Sequence, residues 1–299
     1  RQIRADGTYF EQATQYHRYT TEFVLQLTVL GWRNGWALDR IPALLGPLVD
    51  VLATLDRGDG TMPLLGDDDG GRLVQLDGRA PHDLRGLFAQ AGAALGRRDL
   101  WDQSRGDVAA ALWLLGADAA RLAGADATSA SGDAATPRVR GARGFPDGGL
   151  WVLASGEGPR ALHAVLDAGP HGAFNGGHAH ADALTLVASA GARPLLVDAG
   201  TYHYPGPDRN AFRGAAAHNV VLVDGQGASV PARDPFQWTR AVGARVDAWI
   251  AESTMTFVSA RLAPGPEVTG VVPHHREVLL IPGFGWVVRD ALQGLGRHA

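Results

Sequence analysis

The period of the hydrophobic and polar positions changes along the chain. In the first part, apolar and aromatic residues recur at spacings of three, four and seven, which is typical of one face of a helix. They fall at Tyr9, Tyr16, Tyr19, Phe23 and Leu30. This stripe predicts a helix over about 6–30, and similar patterns predict helices over about 39–56, 82–97 and 105–123. Residues 1–123 are therefore expected to be mainly helical.

A second pattern begins after a segment of small and polar residues. Residues 124–137 contain Ala, Ser, Thr, Gly and Asp with almost no large apolar side chain, the composition of a surface linker. Beyond them, short Val- and Leu-rich runs bounded by Gly or Pro predict strands at 150–154, 161–167, 184–189, 194–198, 219–224 and 277–281. We therefore predict an α+β protein with a helical domain over 1–123, a linker over 124–137 and a β-sandwich domain over 138–299.

The composition of the chain argues against several classes of function. The net charge is −4 and the cations are scattered, which argues against nucleic acid as a partner. No apolar run reaches about 18 residues, so no membrane span is expected. Cysteine is absent, so a metal would have to be held by His, Asp or Glu. The first residues show no signal peptide, so they do not decide whether the protein is secreted.

The strongest candidate chemistry is a group of histidines and carboxylates at strand edges. His178 and His180 are one residue apart, Asp198 ends a following apolar run, and His218 begins another. Two imidazoles and a carboxylate suit zinc or a similar divalent ion. The alternative is that these histidines are hydrogen-bonded structural groups at strand ends, and spacing alone leaves both interpretations open.

Three segments resemble the heparinase II/III-like family in order and spacing. They are Gly177-His-Ala-His-Ala-Asp-Ala-Leu, Pro194-Leu-Leu-Val-Asp-Ala-Gly-Thr-Tyr and Phe212-Arg-Gly-Ala-Ala-Ala-His-Asn-Val-Val. The opening Asp6-Gly-Thr-Tyr-Phe-Glu-Gln-Ala-Thr-Gln-Tyr-His-Arg-Tyr resembles the helix that carries this family's catalytic tyrosine. The resemblance implies a partial (α/α) toroid followed by an antiparallel β-sandwich. It also implies that the chain is a fragment, without the upstream toroid helices and truncated in its sandwich, and we expect the site to be incomplete on its own.

The resemblance also implies roles for individual residues. Three would be ligands of a divalent metal, most simply Zn²⁺: His180, Asp198 and His218. Tyr16 and His178 would be catalytic. Tyr202 and Tyr204 stand where such enzymes place residues of the substrate cleft, although tyrosine is also a common aromatic at strand ends.

The activity implied is β-elimination on an acidic polysaccharide that contains uronate. The C5 proton is removed and the oxygen at C4 leaves, with Tyr16 as base or acid and His178 as base or as a group that positions the uronate. The residues do not decide between a glycosaminoglycan, alginate or another acidic chain, nor the oligomeric state. The family suggests a periplasmic or extracellular location. Two other functions stay open: a non-catalytic carbohydrate-binding protein, and a metal-dependent hydrolase.

Two further features are expected to be structural. The acidic, Gly-rich segment 66–72 lacks the spacing of a calcium loop and is interpreted as a solvated connector between helices. His17 and Arg18 point away from Tyr16 on a helix, and Arg18 is interpreted as a solvated side chain.

Overall fold

The helical part of the fold lies in the first 115 residues. The computed structural model describes residues 2–38, 40–76, 78–117, 119 and 141–294. Its helices are α1 (Thr14–Asn34), α2 (Ile41–Leu55), α3 (Arg85–Leu95), α4 (Arg98–Gln103) and α5 (Ala109–Leu115), with a short α6 (Arg209–Arg213) further on. The predicted linker 124–137 lies outside the described residues, so the predicted domain boundary stays a prediction.

Helix α1 begins eight residues later than its hydrophobic stripe suggested. The Asp6 carboxylate accepts hydrogen bonds from the backbone and hydroxyl of Thr8, and Ile3 pairs with Tyr9. These local bonds hold the first residues in a turn instead of a helical ladder. The helix ends at Gly35, whose φ of 64° is the left-handed conformation that favours glycine at helix ends.

Eleven strands form three antiparallel sheets in the described residues. The first sheet has the order β1-β2-β3-β4-β5, the second β11-β10-β9-β8, and the third pairs β6 with β7. The strands are β1 (Arg143–Phe145), β2 (Leu150–Ser155), β3 (Leu162–Asp167), β4 (Leu186–Ala190), β5 (Arg193–Leu196), β6 (Val230–Pro231), β7 (Trp238–Arg240), β8 (Gly243–Ala251), β9 (Thr256–Ala263), β10 (His274–Ile281) and β11 (Gly285–Leu292). The predicted α+β class is confirmed.

Strands β2, β3 and β4 of the first sheet are buried on both faces, whereas the edge strand β5 is exposed. Successive residues of a strand point to opposite faces, and β2 follows this rule: Val152 packs into a cluster with the helices, while Leu153 packs into a cluster with β9 and β10. In β3, Val165 and Leu166 divide in the same way. The helices, the first sheet and the second sheet therefore form three successive layers, and the helices share a hydrophobic core with the first sheet.

One predicted strand is wrong. Residues 219–224 form no strand, only an isolated bridge between Val223 and Gln226. Side chains satisfy the backbone of Asn219 instead: its N–H donates to Thr185 Oγ1, and its carbonyl accepts from Arg276. The apolar composition of this run favoured a strand, but residues 219–223 are only partly buried and their backbone pairs with no neighbouring strand in the described residues.

Candidate active site and metal centre

A compact group of metal-type side chains lies at the end of the first sheet. His180, Asp182, Asp198 and His218 each place a ligand atom within 4.8 Å of the others. Asp198 lies two residues after the end of β5, and His218 follows a short 3₁₀ turn at Ala215–Ala217. The structure therefore brings together the three predicted ligands and adds Asp182.

The histidine nitrogens show that this group fits a metal. His180 donates through Nε2 to Asp67 at 2.9 Å, and His218 pairs through Nδ1 with Asp198 at 2.9 Å. Their other ring nitrogens, Nδ1 of His180 and Nε2 of His218, are buried without a hydrogen-bond partner. Buried polar atoms are rarely left unpaired. Two free imidazole nitrogens beside carboxylates are the donor set that zinc prefers.

Asp67 corrects the interpretation of segment 66–72 as a solvated connector. Its side chain has 0% exposure. The Asp67 carboxylate contacts His178 Nδ1 at 3.2 Å and His180 Nε2 at 2.9 Å, and it forms a two-pronged salt bridge with Arg209. The Thr201 hydroxyl donates to it as well, at 2.9 Å. Burial raises the pKa of Asp67, but the hydrogen bonds from His178, His180 and Arg209 outweigh that effect and hold it below its ordinary value.

Tyr16 lies beside His178. Their ring centroids are 4.3 Å apart, and Tyr16 is only partly buried. Its hydroxyl pairs with the Tyr204 hydroxyl at 2.7 Å and donates to Asp69 Oδ2 at 3.1 Å. Burial, the Tyr204 hydroxyl and Asp69 all raise the pKa of Tyr16. The surroundings therefore favour the phenol over the phenolate.

The two tyrosines predicted to line the cleft, Tyr202 and Tyr204, differ in their contacts and exposure. Tyr204 contacts both Tyr16 and the ring of Phe236, whose centroid is 5.3 Å away. Tyr202 is 68% exposed and stacks on Phe212 at 5.6 Å. Tyr204 is thus part of the Tyr16–His178 group, whereas Tyr202 packs against a different aromatic residue.

An open cleft of about 190 Å³ leads to His178. Its lining includes Glu11, Phe174, Asn175, His178 and Phe236. Phe174 is 94% exposed and has a φ of 52°, a conformation that is strained for a bulky residue. The cleft thus joins an acidic group and two aromatic rings to the candidate catalytic histidine.

One buried arginine holds a loop that lines this cleft. Arg213 is fully buried and donates to four backbone carbonyls of the loop that carries Phe236: those of Ala232, Asp234, Pro235 and Gln237. Burial lowers the pKa of Arg213 to about 10. Arg18 is also fully buried and pairs with Glu22 at 2.8 Å, so its interpretation as a solvated side chain is wrong.

The predicted site residues did not include Asp67, Asp69 and Arg209, and the predicted metal ligands did not include Asp182. Leu65 and Gly66, which precede Asp67, are buried in the structure, but no local pattern in the sequence marked Asp67 as a site residue. Arg209 lies 142 residues from Asp67 along the chain, so nothing local pointed to their pairing.

Several solved structures share the fold of this chain. It superimposes on heparan sulfate lyase HepC from Pedobacter heparinus with a TM-score of 0.65 and 20% sequence identity, over 98% of this chain and 39% of that one. A heparinase III gives a TM-score of 0.67 and 16% identity, over 98% of this chain and 41% of that one. The chain spans about two fifths of the length of these structures.

Sequence comparison assigns the family. Residues 137–299, more than half of the chain, match the family model described as Heparinase II/III-like, C-terminal. The chain belongs to this family, and the resemblance in its motifs is confirmed. No curated protein matches the sequence. Among the helices that the structure describes, none has both the length and the apolar character needed to cross a membrane.

Proposed function

We propose that the protein is a polysaccharide lyase that cleaves an acidic, uronate-containing polysaccharide by β-elimination. The observation that carries this proposal is the Tyr16–His178 pair, two proton-transfer groups with ring centroids 4.3 Å apart, of which His178 lines an open cleft. In this proposal, helices α1–α5 are part of an (α/α) toroid and the first two sheets are a β-sandwich. The family match over residues 137–299 supports the sandwich, and the fold shared with the heparinase structures over 98% of the chain supports the toroid. A periplasmic or extracellular location is proposed from the family membership.

The reaction requires one proton to be removed and another to be supplied. A base takes the C5 proton, the electron pair forms the C4–C5 double bond, and the C4–O bond breaks. His178 is the proposed base, because its side chain is partly exposed at the cleft. Tyr16 is the proposed acid for the departing oxygen, because its raised pKa keeps it protonated. Tyr204 supports that role through its hydrogen bond to the Tyr16 hydroxyl.

The metal-type group is proposed to be structural. His180, Asp198 and His218 would hold the ion, most simply Zn²⁺, with Asp182 as a further donor. A bound divalent ion would supply positive charge that fixes these side chains and the chain segments that carry them. The side chains of His180 and His218 have 0% exposure and that of Asp198 has 1%, so a polysaccharide cannot reach them. This burial favours elimination over a metal-dependent hydrolysis, which needs an open coordination position.

The products of the reaction test the proposal. The full-length protein should convert a glycosaminoglycan, alginate or another acidic polysaccharide into fragments that carry an unsaturated uronate, detected by its ultraviolet absorbance. A hydrolase would release reducing ends without that absorbance. A carbohydrate-binding protein would bind a member of the panel and release neither product, and either result would refute the lyase assignment.

A further inference from the structure

Asp67 connects the two histidines of the His-x-His motif through a single carboxylate. Oδ2 faces Nδ1 of His178, and Oδ1 faces Nε2 of His180. The backbone adds a third link, because the Asp67 N–H donates to the His178 carbonyl at 3.0 Å. Asp67 belongs to the segment between α2 and α3, whereas the histidines belong to the segment before β4. The helical layer and the sheet therefore meet at this carboxylate.

We propose that Asp67 is a positioning residue that sets the tautomers of His178 and His180 together. The part of this inference that concerns catalysis rests on the proposed lyase function, while the part that concerns the metal-type group does not. His178 would then present its free ring nitrogen to the cleft, and His180 would present its own to the metal-type group.

The position of the proton on each histidine ring follows from the hydrogen bonds that a carboxylate can make. An ionised carboxylate has no proton to donate, so a ring nitrogen that hydrogen-bonds to it must carry the proton. In neutral His178 the proton is then on Nδ1, and Nε2 keeps the lone pair that a base requires. In neutral His180 the proton is on Nε2, and Nδ1 keeps the lone pair, which agrees with the unpartnered state of that buried nitrogen.

Arg209 keeps the Asp67 carboxylate charged and fixed in orientation. Its two terminal nitrogens contact the two carboxylate oxygens, with Nη2–Oδ2 at 2.7 Å. Such a two-pronged pair specifies the plane of the carboxylate. Arg209 is itself held, because its Nε donates to the Pro235 carbonyl at 3.1 Å and its guanidinium lies 5.1 Å from the centre of the Tyr204 ring. Both oxygens of Asp67 are therefore aimed at their histidines.

The wild-type protein gives the first test, which needs no substrate. Ring ¹⁵N NMR of the histidine-labelled, metal-free full-length protein at mildly alkaline pH should show His178 protonated on Nδ1 and His180 protonated on Nε2. The opposite tautomer at either residue, or a mixture, would overturn the proposal. If these tautomers are found in a protein that cleaves no polysaccharide, the proposed function fails and the assignment to Asp67 stands.

The substitution Asp67→Asn is the second test, with Asp68→Asn in the same loop as its matched control. The asparagine amide has the size of the Asp67 carboxylate but offers one oxygen and one NH₂ group. It therefore cannot accept hydrogen bonds from both the His178 and the His180 ring. We expect one or both tautomers to change, zinc affinity to fall about 10–100-fold, and kcat to fall about 10²–10⁴-fold with little change in KM. Asp68→Asn should leave the tautomers and zinc affinity unchanged.

Circular dichroism decides whether Asp67→Asn is folded. If it is not folded, the ¹⁵N NMR spectrum of the wild-type protein still tests the proposal. A folded Asp67→Asn protein with wild-type tautomers and wild-type zinc affinity would refute a positioning role. A loss of zinc affinity in Asp68→Asn equal to that in Asp67→Asn would refute it as well, because the effect would then come from loop charge.

Discussion

Replacing Tyr16 with Phe isolates the proposed acid from the rest of the site. The change removes one hydroxyl and keeps the ring that packs against His178 at 4.3 Å. Two hydrogen bonds are lost, to Tyr204 and Asp69. Both lost bonds lie at a partly exposed position, where water can replace the hydroxyl.

The expected effects on stability and rate differ in size. A hydrogen bond makes a net contribution of about 0.5–1.5 kcal/mol to the free energy of unfolding. At this partly exposed site, Tyr16→Phe should therefore lower the free energy of unfolding by about 1 kcal/mol in total. Loss of a general acid typically lowers the rate about 10²–10⁴-fold. At about 1.36 kcal/mol per factor of ten, that is about 3–5 kcal/mol of activation free energy. Catalysis should therefore suffer far more than folding.

The assay follows the unsaturated product on a proven substrate, together with zinc content and melting temperature. Tyr19→Phe is the matched control, since Tyr19 lies on the same helix and packs against Phe23. It should retain near-wild-type turnover. A Tyr16→Phe enzyme that still eliminates at a near-wild-type rate would remove Tyr16 from the mechanism and leave His178 as the proton-transfer group.

Three other predictions concern the metal-type group, the pH dependence of stability and the loop that carries Phe236. His180→Ala should lower the zinc content, measured by metal analysis, and should lower the free energy of unfolding by about 2–4 kcal/mol, measured by urea denaturation. Tyr16→Phe should leave the zinc content unchanged. Burial lowers the pKa of His17 and of His163 from 6.5 to about 4, so the unfolded chain binds more protons between these values. Each histidine should therefore lower stability on acidification from about pH 6.5 to pH 4 by up to about 3 kcal/mol, which urea denaturation of the wild type and of His163→Gln measures as a difference, since Asp56, whose pKa burial raises to about 6, acts in the opposite direction in both proteins. The same pH dependence in both proteins would contradict this. Arg213→Met should leave carbonyls of the 232–237 loop unpaired, cost about 2–5 kcal/mol of unfolding free energy, and raise KM through the loss of Phe236 placement.

The sequence predicted most of the helices and the grouping of His180, Asp198 and His218 because their signals are local. The stripe through Tyr16 and Phe23 follows from helical spacing, although the turn at Asp6 delayed its first residue to Thr14. His180 and His218 stand at the ends of apolar runs, where a sheet gathers side chains at one edge. These signals need no knowledge of distant neighbours.

Asp67 shows what local patterns cannot reveal. In the sequence it is one of three consecutive aspartates before two glycines, which is the composition of an exposed turn. Its neighbour Asp69 is indeed exposed. Only contacts 111 to 142 residues away bury Asp67 and surround it with His178, His180 and Arg209. A charged residue is buried when its partners are assembled by the fold, and those partners are invisible at short range.

The core shared by the helices and the first sheet limits how a polymer can reach the cleft. Phe88 of α3 and Val165 of β3 belong to the same buried cluster, so the layers that carry Tyr16 and His178 cannot swing apart about a hinge without exposing it to water. Under the proposed function, a sugar chain would therefore enter past the loops at the rim, such as the one that carries Phe174, and the shared core would keep Tyr16 and His178 beside each other while it binds.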